Sequence, residues 1–219
     1  MSQAVAPRRT QAERREATRT RLIESAVHLI ATEGLSAATT RRISDEAGVS
    51  QGAQTHHFPQ RLDLLAATME HLVVRRLASY ENLNERLPAD LAGRSRALLD
   101  LVWEDFSSDT FVVWVRLWVA AAEDPELAER LPELDQTLRR ALLAEMVTVV
   151  GGMIDEATQR ASADRLGIPV ERIDTLFAFI VDSIAGLALR VHFEPRHRPP
   201  RTDPWPAHRG FLLHLLTGA

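Results

Sequence analysis

Between Thr39 and Phe58 the chain carries hydrogen-bonding side chains at helical spacing: Gln51 and Thr55 lie four residues apart, flanked by Gly52 and His56. Uncharged donors and acceptors on one helix face suit the edges of bases. Gln pairs bidentately with adenine, and the Thr methyl meets the thymine methyl. Gly52 would let the helix backbone come close to a groove. Around this face stand Thr40, Arg41, Arg42, His57 and Arg61, which suit phosphate oxygens and set register without reading sequence, and Ser50 at the helix start completes the DNA-binding set. The chemistry implied is recognition of double-stranded DNA, with no bond made or broken.

Catalytic patterns are missing elsewhere. The eight histidines are scattered, and His56-His57 are adjacent, so their side chains point about 100° apart on a helix and cannot chelate together. Glu104-Asp105 and Glu123-Asp124 diverge in the same way and do not form a carboxylate pair for acid/base work. There is no His-Glu-x-x-His, no phosphate-binding glycine loop and no Gly-x-Ser-x-Gly. With no cysteine in the chain, disulfides, thiolate nucleophiles and cysteine-ligated zinc are excluded. The expectation is a protein with no catalytic residue, no metal and no cofactor.

The elements that must position the polar face are helices. Thr10 and Glu13 match a capping box, and the stripe Leu22, Ile23, Ala26, Val27, Leu29, Ile30 predicts a helix running to about Glu33, stopped by Gly34. Thr39 or Thr40 then caps a short helix with Ile43 and Ala47 inward. Gly48 ends it in the left-handed conformation, Val49 buries in the turn, and Ser50 caps the next helix. Gln54 and Phe58 share that helix's inward face. Pro59 suits the first turn of a long helix ending at Leu87-Pro88. Further helices are predicted at about 90–107, 108–123, 125–161, 171–193 and 207–217, and the five prolines of 195–206 make an irregular link. The fold class is therefore all-α: an N-terminal three-helix helix-turn-helix head on a larger helical ligand-binding and dimerisation body. Residues 1–18 are expected to form a basic arm and the start of the first helix, 19–66 the head and 67–219 the body.

A hydrophobic content of 45% in 219 residues supports a packed core. The net charge is −4, but residues 1–21 hold six arginines against Glu13 and Glu16, a local +4 that leaves about −8 on the rest. A basic end on an acidic body fits a protein that meets phosphate at one end. All 26 basic residues are arginine, in the body as in the arm, which reads first as coding bias. No signal-peptide pattern opens the chain and no run of about 18 uncharged apolar residues occurs, so the expected location is the cytoplasm.

Gly34-Leu35, Thr39-Thr40, Ile43, Ala47-Gly48-Val49-Ser50, Gly52-Ala53, His57-Phe58-Pro59 and Leu64-Leu65 together resemble the N-terminal head of TetR/AcrR-type regulators, over about residues 19–66. The resemblance implies a homodimeric repressor of a palindromic operator, released when a small-molecule effector enters the body. Two positions depart from the family pattern: Gln54 stands where an apolar residue is usual, and Thr55 where a tyrosine is. Arg61 replaces a lysine, and both serve a phosphate.

In the body, Phe111, Trp114, Val115 and Trp118 form an i, i+3, i+4, i+7 stripe. By itself the stripe reads as filled core; the resemblance turns it into a pocket wall. Trp103, Phe106, Trp114, Trp118, Met146, Met153 and Phe177 are the candidates for that wall, which would suit a lipophilic or aromatic ligand. Glu104, Asp105, Arg116 or Asp182 could supply its polar groups. For a dimer interface the candidates are Ile173, Leu176, Ile180, Ile184 and Leu187 with Phe211, Leu212 and Leu215, two helices from each copy making a four-helix bundle. A second reading, motivated by Gln54 and Thr55, is a helical small-molecule-binding or interaction protein whose head no longer reads DNA.

Overall fold

The computed structural model of the chain describes residues 10–80, 83–129, 173–194 and 202–217, with scattered positions between 132 and 169. Every regular element among them is helical. Packing divides the chain into two compact units: residues 1–72 with 113–132, and residues 73–112 with 133–219.

The first unit opens with α1 (Gln11–Glu33). Its start is the predicted capping box: Glu13 N donates to Thr10 Oγ1 at 3.2 Å, and Thr10 N donates to Glu13 Oε2 at 2.7 Å. Leu22, Ile23, Ala26, Leu29 and Ile30 are buried along one stripe. A 3-10 turn (Leu35–Ala37) leads to α2 (Thr40–Ala47), capped by Thr39, whose hydroxyl accepts from Arg42 N at 3.3 Å. Gly48 closes α2 at φ +65° with open space around its missing Cβ. Its backbone conformation, not crowding, explains the glycine. Ser50 caps α3 (Gln51–His57) by accepting from Ala53 N at 3.2 Å. Val49, expected to bury in the turn, is half-buried.

The helix α4 (Arg61–Ser79) begins two residues after Pro59, where Asp63 Oδ2 accepts from Gln60 N at 3.1 Å. It also stops earlier than the apolar spacing predicts. At Tyr80 the chain tightens, Tyr80 N donating to Leu77 O at 3.0 Å, and the phenol leaves the helix to donate to Asp105 Oδ2 at 2.9 Å. A short α5 (Leu83–Arg86) follows. Next come α6 (Leu91–Phe106), capped by Asp90, and α7 (Asp109–Ala121). The final described helices are α8 (Ile173–Phe193) and α9 (Trp205–Thr217). The last starts two residues before the expected 207, because Pro206 fits a first turn and Asp203 Oδ1 accepts from Trp205 N at 3.0 Å. Most of the helix predicted over 125–161 lies outside the described residues.

In the second unit, α6 and α9 are joined by polar groups as well as apolar packing. Trp205 stacks on Trp103 with ring centroids 4.9 Å apart, and its Nε1 donates to Asp100 at 2.6 Å. Arg209 reaches both Asp100 oxygens at 2.7 and 2.8 Å. Helix α8 packs its Phe177, Ile180, Ile184 and Ala188 face inward. Its stretch Thr175–Phe193 has a mean hydropathy of 1.7 and passes the length and composition test for a membrane span with a third of it buried. Asp182 and Arg190 fall within it, and its inward side is the apolar stripe just named.

Candidate nucleic-acid interface

The candidate face lies on the helix pair α2–α3. Gln51, Gly52, Thr55 and His56 are not buried, while Gln54 and Phe58 are, each 4% exposed. Thr55 Oγ1 donates back to Gln51 O at 3.0 Å, which leaves the threonine methyl for apolar contact. Gly52 lacks an internal reason to be glycine. A Cβ there would meet nothing closer than Ser50 Oγ at 4.0 Å, and glycine in a helix interior costs about 1 kcal/mol against alanine. What the missing side chain provides is room on the outer side of α3.

Gln54 is on the inside. Its Nε2 donates to Phe58 O at 3.1 Å, so the amide satisfies the carbonyl that ends α3 and the polar residue costs no orphaned buried group. The departure from an apolar residue is a capping device folded into the core. It takes no part in the exposed face.

The basic groups divide in a way that spacing alone does not show. Arg42 is held by Glu33 in a two-armed pair at 2.9 and 2.6 Å, which draws the Glu33 carboxyl below its ordinary range and raises the Arg42 guanidinium. Arg61 donates to Leu35 O at 2.8 Å and pins the 3-10 turn. Arg21 donates to Ala47 O at 3.3 Å, closing the end of α2. Arg116 of α7 donates to the carbonyls of Ile30 and Ala31 at the end of α1, the latter at 3.1 Å, so it lies in the first unit. Arg41 is exposed and only 3.9 Å from Asp45, and Thr40 stands beside it on the first turn of α2. His57 is half-buried, and burial, then the charges of Arg15, His56 and Arg19, hold its ring below the ordinary histidine range.

Of the aromatic wall candidates, Trp103, Phe106 and Phe177 belong to the second unit, and Trp114 and Trp118 to the first. Met146 and Met153 lie outside the described residues. Phe106 is covered by the Arg76 guanidinium at 4.4 Å and meets Phe111 edge-on at 4.9 Å. Arg76 is 6% exposed at its side chain and pairs with Asp105, which also accepts from Tyr80; burial and the Asp105 charge push the Tyr80 hydroxyl up. A cleft of about 640 Å³ in this unit is lined by Arg190, Val191, Glu194, Thr202, Asp203 and Pro204, none of them a wall candidate.

The residues expected at a dimer interface need correcting. Ile180, Ile184, Leu187 and Leu212 are buried inside the single chain, because they are the stripes that hold α8 and α9 to it. Leu176 and Leu215 are half-buried, and the Ile173 side chain lies outside what is described. Of the set, Phe211 is on the surface at 60% exposure, joined there by Phe179, Leu189, Val191 and Phe193. Helical spacing found the apolar stripe but could not tell an internal from an external partner.

The sequence profile of the tetR family of bacterial regulatory proteins matches residues 22–68. The transcriptional regulator CymR of Pseudomonas putida is 34% identical over 189 residues, covering 84% of this chain and 83% of its own. A TetR transcription regulator from Haloarcula marismortui superposes with a TM-score of 0.65 at 19% identity, over 93% of this chain and 98% of that one. The multidrug binding protein EbrR, complexed with imidazole, superposes with a TM-score of 0.53 at 22% identity, over 90% of this chain and 94% of its own. The chain belongs to the TetR family and is a DNA-binding transcriptional regulator of that type.

Proposed function

We propose that this regulator is a homodimeric, cytoplasmic repressor that binds a palindromic operator and releases it when a small apolar or aromatic ligand enters the body. The observation that carries the DNA half is the exposed Gln51, Gly52, Thr55 and His56 face, with Gly52 unexplained by internal packing. Gln51 reads a base edge, the Thr55 methyl meets a thymine methyl, and Gly52 allows the backbone to approach. Thr40, Arg41, Ser50 and His57 face the phosphates. Binding to fragments from upstream of its own gene, across a salt series, tests this. Gln51→Ala and Thr55→Ala should each lower specific affinity roughly tenfold or more while leaving random-sequence binding unchanged; equal, weak affinity for every fragment would overturn it.

The dimer is supported by the outward side of the last two helices. Phe179, Leu189 and Phe193 of α8 and Phe211 of α9 are exposed apolar groups, with Asp182, Gly186 and Gly210 exposed among them. A symmetric dimer that reads a palindrome needs its two recognition helices roughly 34–36 Å apart, the spacing of successive half-sites. Phe211→Glu should give a monomer in analytical ultracentrifugation. The ligand half is supported by the shared fold of the multidrug binding protein EbrR. Mass spectrometry of the denatured protein would identify what co-purifies with the body.

A further inference from the structure

We propose that Arg15 and Arg19, on the first turns of α1, form a second phosphate-binding surface that continues the recognition face past the end of α3. This rests on the DNA-binding reading above. Four of the guanidiniums nearest the helix-turn-helix are already used inside the unit: Arg21 on Ala47 O, Arg42 on Glu33, Arg61 on Leu35 O and Arg116 on the α1 terminus. A paired cation gains little from a phosphate, because the existing partner must be given up first.

Arg15 and Arg19 differ. Arg15 is exposed and has no partner among the described residues. Arg19 is only 4.0 Å from the exposed Glu16, and its guanidinium lies 5.6 Å from the Phe58 ring centroid, so it stands at the end of α3. Four residues apart, the two share one face of α1. Both also act electrostatically on His57, the last residue of α3, together with His56, and Glu16 alone opposes them. Four cationic or protonatable groups, Arg15, Arg19, His56 and His57, therefore converge with one exposed carboxylate among them. A phosphate placed there would relieve their mutual repulsion and accept from the Arg15 fork and from Arg19, whose ion pair with the exposed Glu16 is long at 4.0 Å.

The capping box makes this surface more than a loose tail, because it starts the helix at Gln11 and so fixes both arginines on a rigid element. These turns also lie before residues 22–68, the part matched by the family profile. The partner they fit is the sugar–phosphate backbone of any duplex.

Because such contacts ignore sequence, an unknown operator is no obstacle. The probe is a labelled random-sequence DNA duplex of about two helical turns, titrated by fluorescence anisotropy over a series of NaCl concentrations. Arg15→Gln and Arg19→Gln should each reduce the slope of log K against log[NaCl] by about 0.9. Arg42→Gln, a change to an already paired arginine, should leave it alone. Arg19→Lys should restore the slope, which a purely structural role beside Phe58 would not require. If the wild type binds with a steep salt slope and both glutamine variants match it, this inference fails and the DNA reading stands. If the wild type binds no duplex at any salt, both fail.

Discussion

The two units bury polar groups by different means. In the first, Ser44, Gln54 and Thr68 are all but sealed from solvent, and each is neutral and satisfied within four residues: Ser44 on Thr40 O at 2.9 Å, Gln54 on Phe58 O at 3.1 Å, Thr68 on Leu64 O at 2.7 Å. In the second, the large buried polar group is a charge, Arg76, and its partner Asp105 comes from another helix. A neutral group closed by its own helix needs nothing from elsewhere. A buried ion pair works only if two helices arrive in register. The buried polar groups of the head are therefore closed locally, while that of the body depends on a contact distant in sequence.

The largest effect should come from breaking that pair. Asp105→Leu leaves the Arg76 guanidinium buried without its counter-charge, and should cost roughly 3–5 kcal/mol in urea unfolding. Adding Arg76→Met and Tyr80→Phe to it should recover most of the loss, since the Tyr80 hydroxyl also loses its acceptor and replacing a whole buried polar set by apolar groups is often neutral or better. If Asp105→Leu alone changed stability by less than about 1 kcal/mol, the contrast between the units would be gone. In the head, Gln54→Ala removes a buried bond and leaves Phe58 O unpaired, at a cost of about 1–3 kcal/mol. Ser50→Ala should follow at about 1 kcal/mol, the usual value of a lost N-cap. Neither should need a distant second substitution for rescue.

The same contrast decides what was legible in the sequence. The capping box at Thr10 and Glu13, the Thr39 and Ser50 caps and the left-handed Gly48 all involve residues at most a few positions apart, and the structure has each where the pattern put it. Helix boundaries followed less well where distant groups intervene. Tyr80 leaves α4 early as its hydroxyl bonds to Asp105, 25 residues on. The arginines show the limit most clearly. Arg42 and Arg61 have the right type and position for phosphate, yet each is spent on a group nine or more residues away, Glu33 and Leu35 O. Helical spacing likewise placed Ile180 and Ile184 on one stripe, but only packing shows that it faces inward.

The smallest effect, and the most diagnostic of where the DNA backbone lies, is the pH response of His57. Burial and then the charges of Arg15, His56 and Arg19 hold its folded pKa below the ordinary value of about 6.5, with Glu16 acting the other way. The unfolded chain therefore takes up the proton first. Its contribution to stability is complete above that ordinary value and is lost as the pH falls toward the folded one. Duplex DNA should do the reverse, because a phosphate beside Arg15 and Arg19 cancels the repulsion that disfavours the imidazolium. Lowering the pH from about 7.5 to 5.5 should thus weaken folding while strengthening duplex binding, two opposite trends carried by one ring. His57→Gln should reduce both, read by urea unfolding and by anisotropy with the random duplex. Equal pH dependence of duplex binding in wild type and His57→Gln would place the backbone away from the end of α3.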